Sequence, residues 1–300
     1  MNLLEVKGLS KVYRKNKRSP FEKTSYFTAV HPVEFHIAEG ETFGLVGESG
    51  SGKTTIAHMI AGILRPTSGE AFLDGIELRD KTKAREIERE IQMVFQNPYA
   101  SLNPVKRIGW QLEEPLRVHG IGTKDSRKKE VIRMLEIVGM DKSYLRRYPH
   151  ELSGGQRQRV VILMALILRP KLIILDEPVS SLDVSVQAQI LNLLRDLQKQ
   201  FAASYLFISH DLQVVEYMSD RIGVLKNGRM VELASADTIV NKPLHPYTQT
   251  LMASVPALDE KEHRRIDSTK YKAICSAHQG LYQVDAEHFV LCEGRSHASL

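Results

Sequence analysis

Four short apolar runs punctuate an otherwise mixed chain: TFGLVG (42–47), EIQMVFQ (90–96), LIILDEP (172–178) and SYLFISH (204–210). Their apolar residues fall at successive positions rather than alternate ones. A strand that buries both faces shows this pattern, so the four read as buried strands of a parallel sheet covered on both sides. Helical spacing follows in KTTIAHMIAGIL (53–64) and EVIRMLEIVGM (130–140), and residues from roughly 98 to 168 read as mostly helical. The first forty residues differ, since LLEVKGLSKVY (3–13) and YFTAVHPVEFHIAEGE (26–41) alternate in part and predict antiparallel strands around a basic loop. GEAFLDGIEL (69–78) predicts a hairpin at Asp74–Gly75, and RIGVLKNGRMVEL (221–233) another at Asn227–Gly228. Both dipeptides accept the paired positive φ of a type I′ turn. HPYTQTLMASVP (245–256) predicts one short helix, and the pattern weakens over the remaining residues.

Composition narrows the class only a little. Three hundred residues, 42% apolar and 26% charged, describe a soluble globular chain of two or three subdomains. The longest apolar run, VVILMALIL (160–168), has nine residues, against the roughly 20 that span a bilayer. The N-terminus MNLLEVKGLS lacks the basic-then-apolar pattern of a signal peptide, so the expected location is the cytoplasm, with any membrane contact made through a partner. The net charge of +5 is dispersed among RKNKR (14–18), SRKKE (126–130) and EHRRI (262–266). Such clusters predict solvated faces rather than a nucleic-acid stripe. Cys275 and Cys292 fit a reduced compartment and predict no disulfide framework.

The chemistry lies at the ends of the apolar runs. GESGSGKT (47–54) follows a predicted strand, opens a predicted helix and fits the G-x-x-x-x-G-K-[ST] pattern. Its loop from Gly47 through Glu48, Ser49, Gly50, Ser51 and Gly52 lets backbone N–H groups close around phosphates. Lys53 adds a positive charge at the β/γ-phosphates, and the Thr54 hydroxyl, with Thr55 behind it, suits Mg²⁺. LIILDEP carries Asp176 and Glu177 to the carboxyl end of a parallel sheet, where open α/β folds bind ligands. Asp176 suits the Mg²⁺ shell, and Glu177 can polarise a water as general base. Gln96 and His210 end the other two runs with reach to a metal, a water or a γ-phosphate. In HELSGGQRQRVVILMALILRP (150–170), Ser153, Gly154 and Gly155 open a long apolar helix with no acidic residue in its first turns. That is how a chain offers bare N–H groups and a hydroxyl to an anion.

This ordered set resembles the ATP-binding cassette family over about residues 1–256. The family's P-loop matches 47–54, its strand-end Gln matches Gln96, its LSGGQ signature matches 152–156, its Asp-Glu strand matches 172–177, its SLD loop matches 181–183 and its switch His matches His210. The resemblance implies an α/β P-loop NTPase core with an antiparallel β subdomain, an inserted helical subdomain (about 97–168) and a shortened C-terminal extension (257–300). It implies ATP and Mg²⁺ as ligands, with Thr54, Gln96 and Asp176 on the metal, Glu177 as base and His210 at the γ-phosphate. It also implies Tyr13 stacked on adenine and a head-to-tail dimer. In that dimer Ser153, Gly154, Gly155, Gln156 and Asp183 of one subunit close on the ATP of the other.

QNPYASLNP (96–104), DEPVSSLDVSVQAQILNLL (176–194) and HPYTQTLMASVP look like the ATPase subunits of oligopeptide, dipeptide and nickel importers. That resemblance implies three kinds of partner: a paralogous ATPase subunit or a second copy, two integral-membrane permeases, and indirectly an extracytoplasmic binding protein. It implies a peripheral position on the cytoplasmic face of the membrane, permease docking around 97–115, and a peptide cargo ahead of nickel or metal chelates and of sugars. Soluble cassettes acting on nucleic acid or ribosomes usually insert a long coiled coil or carry two cassettes in tandem, and this sequence has neither. Two departures stand out. VILMAL (161–166) places Met164 where the family commonly has Arg, and the tail has two Cys where many relatives have several. A [4Fe–4S] cluster takes four thiolates, so none is expected here.

Overall fold

The chain opens as two long antiparallel strands, β1 (Asn2–Arg14) and β2 (Tyr26–Ala38). In this computed structural model, residues 1–14, 25–97, 101–253, 269–278 and 280–292 are described. Most of RKNKR, all of EHRRI, residues 98–100 of QNPYASLNP and the end of HPYTQTLMASVP lie outside them. After β3 (Thr42–Val46) and α1 (Lys53–Ile60), the chain returns with β4 (Ser68–Leu73) and β5 (Ile76–Glu77). These complete a four-stranded sheet in the order β2-β1-β4-β5. Asp74 and Gly75, with φ of 49° and 77°, turn the β4–β5 hairpin as the Asp-Gly pair predicts.

A short helix α2 (Ala84–Glu90) leads into β6 (Ile91–Val94). The helical segment follows: α3 (Ile108–Val118), α4 (Lys124–Ile137), two short 3₁₀ turns and α5 (Gly154–Leu166). The chain then re-enters the large sheet with β7 (Leu172–Asp176), crosses by α6 (Val184–Phe201) and continues into β8 (Ser204–Ser209). After α7 (Leu212–Met218), the hairpin β9 (Arg221–Lys226) and β10 (Arg229–Ser235) turns at Asn227–Gly228. Helices α8 (Ala236–Asn241), α9 (Pro246–Ala253) and α10 (Thr269–Ala277) precede a last hairpin, β11 (Gly280–Asp285) and β12 (His288–Cys292).

The eight-stranded sheet runs β11-β12-β10-β9-β3-β8-β7-β6. Strands β9, β3, β8, β7 and β6 are parallel, and the β10, β12 and β11 side is antiparallel. The uninterrupted apolar runs are explained by two cores. Phe43, Leu45, Leu172, Ile174, Leu206 and Ile208 turn toward α1 and the four-stranded sheet. Val46, Ile173, Leu175, Tyr205 and Phe207 turn toward α6 and the helical segment. Each such side chain contributes roughly 1.5–3 kcal/mol by leaving water. EIQMVFQ departs from the expectation of a buried strand. β6 is the sheet's outer strand, Gln92 and Met93 are only half-buried, and Phe95 is exposed.

The tail, unpatterned in the sequence, extends the main sheet. Glu232 pairs with Val290 and Leu233 with Phe289 across β10 and β12. Cys275 and Cys292 correct the expectation of two separate thiols: α10 and β12 converge to a Cα–Cα distance of 4.9 Å and the two are joined as a disulfide. Val290 and Cys292 are buried there with Leu244 in a small core of their own. Met164, the departure in the signature helix, is half-buried against the larger core. Among the described residues, no helix is long and apolar enough to cross a membrane.

Candidate functional site

Four parallel strands deliver their carboxyl ends to one edge, and the candidate groups stand at or just beyond those ends. The P-loop leaves β3, Gln96 follows β6, Asp176 and Glu177 end β7, and His210 follows β8. Two glycines show why the loop tolerates nothing larger. A Cβ on Gly47 would stand 2.1 Å from the Leu225 carbonyl oxygen. On Gly52, at φ +107°, it would stand 2.8 Å from that of Ala29.

Lys53 is buried, and its ammonium donates to the Gly47 and Glu48 carbonyls at 2.7 and 2.9 Å, with the Ser51 hydroxyl at 3.5 Å. Burial pulls its pKa below the ordinary lysine value, opposed by the charges of Glu177, Asp176 and Glu48. Thr54 donates its hydroxyl to Asp176 Oδ1 at 3.3 Å. Burial raises the pKa of Asp176; the Thr54 hydrogen bond opposes this, and the neighbouring Glu177 charge adds to it. Glu177 occupies the centre: Gln96 Nε2 donates to its Oε2 at 2.7 Å, and His210 Nδ1 lies 3.1 Å from its Oε1. Its backbone is left-handed at φ 48°, and its N–H donates to the Ile208 carbonyl at 2.9 Å. A non-glycine residue held there costs on the order of 1–3 kcal/mol, and such strain gathers where a side chain must be aimed.

Glu177, Gln96 and His210 border an open cleft of about 860 Å³ together with Gly47, Glu48 and Ser49 of the P-loop. Lys226, Pro246, Tyr247, Thr250 and Leu251 complete its wall. Lys226 and Tyr247 are absent from the sequence-level candidates, although Tyr247 lies in the HPYTQTL stretch. The Thr54 hydroxyl, the Asp176 carboxylate and the Gln96 amide are a hard-oxygen set with a single carboxylate. That suits Mg²⁺, which takes one or two carboxylates and fills its shell from phosphates and water.

The remaining candidates stand apart from this cleft. Tyr13 is 40% exposed near the end of β1, with the Lys11 ammonium 5.2 Å from its ring centroid. Ser153, Gly154, Gly155, Gln156 and Asp183 form a second group where α5 starts against the start of α6. There Ser153 Oγ accepts the Gln156 N–H at 3.3 Å, and Gln156 Oε1 accepts the Ser153 N–H at 3.0 Å. Gln156 Nε2 also donates to the Tyr144 hydroxyl at 2.9 Å. Both ends of that amide are thus engaged within the chain. The N–H groups left for an anion are those of Gly154 and Gly155, in a first turn that has no intrahelical acceptor for them.

Residues 30–180 match the model of the ABC transporter family. A protein of Bacillus subtilis strain 168, the oligopeptide transport ATP-binding protein OppF, is 45% identical over 275 residues, covering 88% of this chain and 90% of its own. The chain belongs to the ABC transporter family. It is an ATP-binding cassette that hydrolyses ATP, and residues 231–280 match a second model, the C-terminal region of oligopeptide/dipeptide transporters. The di/tripeptide transport ATP-binding protein DppF of Pseudomonas aeruginosa is 43% identical, covering 85% of this chain and 80% of its own. Among solved structures, the cassette MJ0796 as a post-hydrolysis dimer with ADP and Pi superposes with a TM-score of 0.67 at 28% identity, covering 78% of this chain and 98% of that one. The cbiO1 protein of Clostridium perfringens, part of the transporter complex cbiONQ, gives 0.69 at 26% identity, covering 81% and 92%.

Proposed function

We propose that this cassette is the ATP-hydrolysing subunit of a peptide importer, working in a head-to-tail pair beneath two membrane permeases. One observation carries the catalytic part. Glu177 is aimed into the cleft between Gln96 and His210, on the same edge as Lys53, Thr54 and Asp176.

Lys53 leaves the loop carbonyls for the β- and γ-phosphate oxygens and carries its charge to them. Glu177 takes up the proton of the attacking water, a role typically worth about 10²–10⁴-fold. Its two neighbours hold the carboxylate in line, and His210 contacts the γ-phosphate once ATP is bound. Thr54, Asp176 and Gln96 would hold Mg²⁺, which when bound neutralises charge on the phosphates. The N–H groups of Gly154 and Gly155 serve the ATP of the partner cassette, because they stand outside this chain's own cleft. Tyr13 stacks on adenine as ATP binds.

Peptide as cargo is supported by the names of the relatives, oligopeptide and di/tripeptide transport proteins, and by the C-terminal family match. The binding protein and the permeases read the cargo, and this chain supplies the power stroke from the cytoplasmic face. Residues 97–115, of which 97 and 101–115 are described, serve as the permease-docking surface. The test is ATP hydrolysis by the subunit assembled with its permeases and binding protein in vesicles. Short peptides are expected to stimulate it; stimulation by nickel chelates or sugars and not by peptides would overturn the cargo.

A further inference from the structure

Helix α9 is held from two sides by polar contacts to which ATP chemistry assigns no part. Glu232, on β10, is fully buried. Its Oε1 accepts the Leu244 N–H at 2.7 Å and lies 2.8 Å from His288 Nε2 on β12. Its Oε2 accepts the His245 N–H at 3.0 Å, and His245 Nδ1 in turn accepts the N–H of Tyr247 at 3.1 Å. A carboxylate is stable in such a place only when donors surround it, so this one fixes three segments to each other: β10, the entry to α9, and the C-terminal hairpin. On its other side, α9 meets the P-loop. The Tyr247 hydroxyl oxygen accepts the Glu48 N–H at 3.2 Å, across a separation of 199 residues, and the Lys226 ammonium lies 4.7 Å from the centroid of the Tyr247 ring. The carbonyl of that same Glu48 residue is one of the two that hold Lys53.

We propose that Tyr247 is a positioning residue of the nucleotide site, fixing Glu48 and through it Lys53, with Glu232 and His288 making the C-terminal hairpin its support. The proposal rests on the assignment of 47–54 as the phosphate loop. The C-terminal region then acts on ATP as well as packing against the cassette. A mere packing role for Tyr247 would need its ring and not its hydroxyl, and this difference can be measured.

Equilibrium binding of ATP to the full chain is compared for the wild type and Tyr247→Phe, which keeps the ring beneath Lys226 and removes the acceptor. One neutral hydrogen bond corresponds to an affinity loss of about three- to tenfold. In the assembled transporter, KM for ATP rises by the same factor, with proportionately less change in kcat. His288→Ala lowers affinity in the same direction by a smaller factor; Glu232→Gln, which preserves the side-chain shape, replaces it should that variant not fold. Wild-type affinity in Tyr247→Phe overturns the assignment. A loss in Tyr247→Phe with wild-type affinity in the hairpin variant overturns the hairpin's part. Lys53→Ala is the reference: if it also binds ATP as the wild type does, the phosphate-loop assignment itself is at fault.

Discussion

At the P-loop edge, the polar side chains are already joined to one another. Lys53 rests on two carbonyls, Thr54 on Asp176, and Glu177 between Gln96 and His210. At the start of α5, the side chains of Ser153 and Gln156 cap their own helix, and only backbone N–H groups of the first turn are left for a ligand. Both regions suit phosphate oxygens, but the first combines charged side chains with a cleft, whereas the second offers backbone donors. The proposed head-to-tail pair draws on this contrast, each copy or paralogue supplying what the other lacks.

The sharpest way to break this contrast is Glu177→Gln. Turnover in the assembled transporter should fall by about 10²–10⁴-fold while ATP binding to the subunit persists. Equal hydrolysis by both proteins would remove Glu177 from the base role. The next effect separates two adjacent glycines. A Cβ on Gly155 would stand 2.6 Å from Val186 Cγ1, whereas one on Gly154 would find Leu182 at an ordinary 3.5 Å. Gly155→Ala should therefore cost about 1–3 kcal/mol in chemical denaturation. Gly154→Ala should leave stability near wild type and slow hydrolysis only in the assembled pair. Equal denaturation midpoints for the two variants would contradict the packing of α5 on α6.

Ser153→Ala removes the cap and should cost about 1 kcal/mol in the same assay, with ATP affinity of the isolated chain unchanged. A drop in that affinity would place the signature in this chain's own site and dissolve the contrast. The smallest effect belongs to Glu130, which binds Arg133 on its own helix and Arg169 beyond the end of α5. The Arg133 hydrogen bond, ahead of that from Arg169, holds its carboxyl below the ordinary 4.5. Its contribution is then present above pH 4.5 and is lost as the pH falls through the lowered value. With both partners only half-buried, Glu130→Gln should cost only about 0.5 kcal/mol near neutrality, and the difference should vanish in acid.

How much of this was legible from the sequence depended on how local each cause was. The runs that became β3, β7 and β8 were readable because both faces of each strand are buried, and the two hairpin turns because Asp-Gly and Asn-Gly meet a backbone demand within two residues. β6 was readable as a strand but not as the outer one, since position in a sheet depends on its neighbours. The last hairpin escaped because its short alternation acquires meaning only beside β10, and the joining of Cys275 to Cys292 depends on where α10 lands. The cleft residues Gly47, Gln96, Glu177 and His210 belong to patterns visible in the sequence. Lys226 and Tyr247 do not stand out there, because Tyr247 meets the P-loop only through the fold, across 199 residues, and Lys226 meets the Tyr247 ring.

The pairing of β12 with β10 has one more consequence, for handling and evolution of the chain. Met230, Val231 and Leu233 make β10 an apolar strand, and the hairpin covers backbone groups along part of its outer side. A chain cut back to its cassette motifs would offer that strand as an open template for other chains. The tail is then a guard against self-association, and a shortened version of this protein should be judged first by whether it stays dispersed.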